Sequence, residues 1–398
     1  MKIPLLVLLS AALGLAQSAS RTWTSTDGRK IEAAFISSTA EAVKIRLANG
    51  SAFEVPLARL SAEDQAFVKA QATAASTTGA ALKEWPRTIS LADKPEVVIV
   101  REDEAKKEFV YRSPHYEFVC DSKLGSNVVR EFGRMFEATY ELNCQLPLDL
   151  KPSPERLREI FQARLFTNKS DYMDAGGVEG SAGLYSRGGK ALMVPLNSLG
   201  VRLAGTRVTL EQNPNAQDNG TLIHEITHQM MNHWLPMLPK WYIEGSAEYV
   251  EMLEYNSSGK FSLIGLNRQV KAYAENMAGG KTFMMIDLEE LMGLDGGRWS
   301  AALARGGLAT ENYGSAGLLT YFFYHLDGKG DAANMIAFLR EVENAKTDAE
   351  SEAAVKKHLL RERSFAQLAE EVKKALRKEG VTLDFFPPGK NAPKSAAP

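Results

Sequence analysis

The sequence predicts an α+β protein with a small β-rich unit ahead of a larger one that turns from sheet to helix. Three observations carry this. Short runs of alternating character occur from Arg21 to about Lys69 and are broken by Asp27-Gly28 and Asn49-Gly50, as hairpins require. From 116 to 196, strand-like and helix-like periods are mixed. After residue 220 nearly every pattern is helical.

At 398 residues, 44% hydrophobic and 24% charged, the chain can bury a core in more than one folded unit. Its 47 Lys and Arg against 49 acids leave a net charge of −2, which argues against a chain-wide nucleic-acid or membrane-surface role. Lys2, a mostly apolar run over 3–16 and Ala16-Gln17-Ser18-Ala19-Ser20 read as a secretory signal over 1–20. The run is too short to span a bilayer comfortably, and no comparable one follows. The expectation is an exported protein, periplasmic or extracellular, with no membrane span after signal cleavage. Cys120 and Cys144 are the two cysteines, so one bridge or two free thiols are both open.

In the first unit, 30–36, 43–47 and 51–57 read as strands. Ser61 followed by Ala62-Glu63-Asp64 reads as a helix start, with a Ser cap and acids in the first turn. Residues 21–69 thus form a small barrel closed by a short helix. Arg21-Thr22-Trp23, Asp27-Gly28-Arg29, Val55-Pro56-Leu57 and Leu60-Ser61-Ala62-Glu63-Asp64 resemble the Sla-one homology domain, an SH3-like barrel. That resemblance implies binding of a peptide or protein partner through this unit; a passive packing module is the other reading. Residues 70–82 are small and polar, which marks a linker, although their Ala content also suits an extension of the helix. The larger domain then covers 83–385, and 386–398, which lacks apolar periodicity, is expected to be a disordered tail.

In the larger domain, 116–120 reads as a strand ending at Cys120. Val128, Val129, Phe132, Phe136 and Tyr140 fall at helical spacing and place an amphipathic helix over 126–143, with the aromatics in the core. Residues 161–166 read as a further strand. A hairpin pairs 183–186 with 191–196 across Gly188-Gly189, and 191–196 is the expected sheet edge, because Pro195 suits an unpaired or terminal position. Such an edge would hold an extended substrate as an added strand.

His224 and His228 lie four apart in Thr221-Leu222-Ile223-His224-Glu225-Ile226-Thr227-His228, so on a helix both imidazoles leave one face and can share an ion. A chance match to this pattern would arise in on the order of one per cent of such chains, so its surroundings have to decide. Leu235-Pro236-Met237-Leu238-Pro239 breaks the helix, and a second begins near Trp241. That gap leaves room for a turn that brings Glu244 to face the two histidines as a third ligand. Two imidazoles and a carboxylate suit one catalytic zinc ion per chain, with a fourth position left for water. His233 lies past the shared face and is not a ligand.

His224-Glu225-x-x-His228 followed by Trp241-Tyr242-Ile243-Glu244-Gly245-Ser246-Ala247-Glu248-Tyr249 resembles the gluzincin zinc metallopeptidases of peptidase-MA-like type. The resemblance implies a zincin-type domain hydrolysing peptide or protein substrates, with Glu225 as general base for the attacking water. It also points to Tyr313, in Asn312-Tyr313-Gly314-Ser315-Ala316, as the donor to the oxyanion; a packing tyrosine is the alternative, and His325 is a second candidate donor. Glu248, one turn after Glu244, is placed to accept from the second nitrogen of a ligand histidine, or is a solvated helix acid. The competing function is a catalytically inactive protein of this fold that binds envelope partners.

Overall fold

A computed structural model describes residues 20–38, 42–47, 52–77, 84–148, 150, 160–179, 181, 183–186, 191–196, 201–204, 207–210, 219–304, 309–345 and 347–387. The fold is α+β, and the chain divides into two compact units, 1–82 and 83–398.

In the first unit, β1 (Ser20–Thr24), β2 (Lys30–Ser38), β3 (Ala42–Arg46) and β4 (Ala52–Pro56) form an antiparallel sheet in that order. Gly28, at φ +83°, supplies the left-handed residue of the first turn. Among the described residues β1 and β4 do not pair, and the end of β1 is tied across by the Ser25–Leu60 bridge and by Ser61 N–H donating to Thr24 O. Helix α1 (Ala62–Thr77) covers the sheet, setting Val68 in a core with Trp23, Ala33, Val43, Ile45 and Leu60. Its cap is the expected one: Asp64 N–H donates to Ser61 Oγ at 3.2 Å. The helix runs on to Thr77, so 70–77 of the expected linker is helical; 78–82 lies outside the described residues.

The second unit opens with β5 (Thr88–Ser90), β6 (Val98–Asp103), β7 (Glu108–Arg112), β8 (Tyr116–Cys120), β9 (Lys123–Leu124) and α2 (Ser126–Gln145). It continues through β10 (Phe161–Phe166), α3 (Lys169–Asp174), β11 (Leu184–Ser186), β12 (Ala191–Pro195), β13 (Val201–Ala204) and β14 (Arg207–Leu210). Among the described residues the main sheet runs β11-β12-β10-β8-β7-β6, with β12, β10 and β8 parallel and the outer pairs antiparallel. Helix α2 lays Val128, Phe132 and Phe136 into the core, and Phe136 meets Tyr116 and Phe118 edge-on at 4.8 and 4.9 Å. Cys120 and Cys144 are not joined in a disulfide.

The expected hairpin forms as the β11–β12 pair, and its turn, 187–190, lies outside the described residues. Its edge assignment is corrected. Strand β12 is internal and buried along its length, and Pro195 closes it opposite Phe166, a strand end that tolerates a residue lacking an N–H. The edge belongs to β11.

The remaining elements are mostly helices: α4 (Asn219–Met230), α5 (Lys240–Glu251), α6 (Leu266–Ala278), α7 (Leu288–Met292), α8 (Gly296–Ala304), α9 (Ala309–His325), α10 (Ala333–Glu343), α11 (Asp348–Ala354) and α12 (Phe365–Lys378). Short strands interrupt them: β15 (Glu254–Asn256) and β16 (Lys260–Ser262) join β5, and β17 (Thr282–Met285) pairs with β18 (Thr382–Phe385). The described residues include the first two of the expected tail, 386 and 387, and Phe386 N–H donates to Met285 O at 2.9 Å; 388–398 lies outside the described residues. Helices α5 and α9 cross closely at Gly245, where a Cβ would stand 2.3 Å from Ala316 O and Thr320 Oγ1. No helix among the described residues is long and apolar enough to cross a membrane.

Candidate metal centre

Helix α4 turns Leu222, Ile223, Ile226 and Met230 into the core, which leaves His224 and His228 together on its other side. Their Nε2 atoms are 3.1 Å apart. Helix α4 ends at Met230, and after a run of turns Pro239 is the N-cap of α5, which is buried from Trp241 to Val250. One turn in, Glu244 Oε2 lies 3.4 Å from His224 Nε2 and 3.3 Å from His228 Nε2. Tetrahedral bonds of ~2.0–2.1 Å to zinc would separate neighbouring ligand atoms by about 3.3 Å. The three sides of this triangle fit that spacing, and the donor set of two imidazoles and a carboxylate suits zinc. The structure thus brings the three expected ligands together in a buried group that can hold a metal ion.

The charges around the triangle are strongly coupled. Burial alone would raise the carboxyl of Glu244, yet the charge of His228 and hydrogen bonds to both imidazoles hold it well below its usual range. Lys240, at the first turn of α5, contacts its other oxygen, Oε1. For His224, burial favours the neutral ring but is outweighed by Glu244, Glu251 and Glu248, so its pKa stands well above the usual histidine value.

Glu225, beside His224 on α4, is half-buried and lines the same cleft of about 650 Å³. Burial pushes its pKa up against the opposing charges of His228 and His224, and its Oε2 accepts from Tyr185 N–H at 3.2 Å. The sheet edge β11 therefore borders the cleft directly, with Leu184 and Tyr185 in its lining. Tyr313 lines it from α9, its ring 6.1 Å from His224 and 5.5 Å from Trp299. Burial first, then the Glu244 charge, raises its phenol, which stays a protonated donor at neutral pH.

Glu248 is close to His224 Nδ1, with Oε1 at 3.4 Å, and its other oxygen accepts from Tyr273 OH at 2.6 Å. Burial, partly offset by His224, pushes its pKa up to about 7. A nearer acceptor, which sequence reading missed, is Glu251 Oε2, 3.0 Å from the same nitrogen. The signal was available: Glu244, Glu248 and Glu251 repeat at four and three, one face of a helix. Tyr273 and Lys240 were missed as well; Lys240 shows as the residue four before Glu244.

The other histidines lie elsewhere. His325 Nε2 is hydrogen-bonded with Tyr249 OH at 2.9 Å and its ring packs against Trp85 at 4.2 Å, away from the cleft lining. His115 meets Glu137 and His358 meets Glu341, each at 2.6 Å, and His233 is exposed.

Comparison with known families gives one match, outside this centre: residues 16–76 match the family described as SLA1 homology domain 1, SHD1. No curated protein matches the chain.

Proposed function

We propose that the chain is an exported zinc-dependent peptidase of gluzincin type. The observation that carries this reading is the His224–His228–Glu244 triangle, with a half-buried carboxylate, Glu225, in the same cleft. His224, His228 and Glu244 would hold the ion. Bound zinc supplies Lewis acidity, polarising a carbonyl and lowering the pKa of water to roughly 7.

The chain's own groups divide the remaining work. An extended peptide adds to the open edge of β11, which presents its scissile carbonyl beside Glu225. Glu225 takes the proton from the attacking water and passes it to the departing amine; its raised pKa suits both transfers. The Tyr313 hydroxyl donates to the oxygen that gains charge as the carbonyl becomes tetrahedral. Glu248, through Tyr273, ties α5 to α6 and to the start of α9 behind the cleft. The N-terminal unit, which carries the SHD1 match, binds a protein partner, and the Lys2-to-Ala19 segment directs export.

Zinc uptake by the purified protein tests the ligand set. About one zinc per chain in wild type, with weak uptake by Glu244→Ala and His228→Ala, is expected. No uptake by wild type would refute it.

A further inference from the structure

Building on the zinc reading, we infer that Glu251 is the residue that positions His224, while Glu248 serves the helix packing behind it. An imidazole offers one nitrogen to a metal when the other carries the proton, and an acceptor on that proton fixes both tautomer and ring plane. Two carboxylates stand near His224 Nδ1. Glu251 Oε2, at 3.0 Å, is within ordinary N–H···O range, whereas Glu248 Oε1, at 3.4 Å, is beyond it.

Glu248 is engaged elsewhere. Tyr273 OH, on α6, donates to its Oε2 at 2.6 Å and also lies 3.4 Å from the carbonyl oxygen of Tyr313. Glu248 thus ties α5 to α6 and to the start of α9, the helix that carries Tyr313. Glu251 sits on the last residue of α5, where its carboxylate reaches back to the ring from a half-buried position. The brace matters because it is one-sided: His228 Nδ1 is buried with no hydrogen-bond partner among the described residues. Only one of the two imidazoles is oriented by a carboxylate at its far nitrogen.

The test is zinc affinity by chelator competition on wild type, Glu251→Gln and Glu248→Gln, with the absorption bands of the cobalt-substituted proteins read alongside. Glu251→Gln should bind zinc about 10–100-fold more weakly and shift the cobalt bands. Glu248→Gln should stay within about threefold of wild type in zinc affinity and instead lower the thermal midpoint of the metal-free protein. Equal affinity in wild type and Glu251→Gln, or a larger loss in Glu248→Gln, overturns the assignment while leaving the zinc reading intact. A wild type that takes up no zinc overturns both. Should Glu251→Gln not fold, Glu251→Asp in the same competition decides: weaker zinc binding than wild type supports the assignment, and wild-type affinity overturns it.

Discussion

The amide of Tyr185 donates to Glu225 Oε2 at 3.2 Å, so strand β11, the last of the main sheet among the described residues, and the half-buried carboxylate of the cleft are fixed to each other. Gly183, two residues earlier, stands where a Cβ would lie 3.2 Å from Glu225 Cγ and 3.4 Å from Met193 O. Gly183→Ala is expected to push Glu225 aside without touching the metal ligands. Peptide cleavage should fall by roughly tenfold or more while zinc content is unchanged. Equal loss of zinc would show that the effect spreads beyond the edge.

Gly245 is the close contact that lets α5 carry Glu244 to the histidines. A methyl there meets backbone and side-chain oxygens of α9, and neither can give way cheaply. Gly245→Ala should destabilise the protein by about 1–3 kcal/mol, as overpacking does, and weaken zinc binding with it. Denaturant unfolding and chelator competition read the two effects on one sample.

Tyr313→Phe removes one hydroxyl from the cleft wall and leaves the ring in place against Trp299. The expected result is a fall of about 10²-fold in kcat with KM changed far less, since the bond forms chiefly as charge develops on the substrate. A change confined to KM would assign Tyr313 to substrate binding.

His325 gives a pH signature far from the cleft. Burial pushes its pKa down to about 3, so the folded protein holds it neutral while the unfolded chain protonates near 6.5. The unfolded state therefore binds more protons below pH 6.5, and the stability this neutral ring contributes is complete above that pH and lost as pH falls toward 3. In metal-free protein, wild type should lose about 2 kcal/mol of unfolding free energy relative to His325→Gln between pH 6.5 and pH 5. Parallel pH profiles for the two proteins would contradict it.

How far these features were legible depends on whether they are local. His224 and His228 are one helical turn apart, and Glu244 follows a proline-bounded turn, so spacing and helix periodicity sufficed to group them. Tyr273 could not be found that way, because its partner Glu248 is on another helix and only tertiary packing joins them. The sheet edge was misassigned for a related reason: Pro195 marks a strand end as well as an edge, and the order β11-β12-β10 is set by non-local pairing. The four strands of the small unit were legible from hairpin signals, and its covering helix from the Ser61 cap. Those signals specify neighbouring strands but say nothing of whether β1 and β4 meet.

Cleavage of an unbiased peptide library by zinc-loaded wild type, beside Glu225→Gln at equal zinc content, tests the central claim most directly. The account predicts cleavage by wild type and a loss of about 10²–10⁴-fold in the variant. A wild type that holds zinc and cleaves nothing, or a variant that cleaves as well, would contradict it.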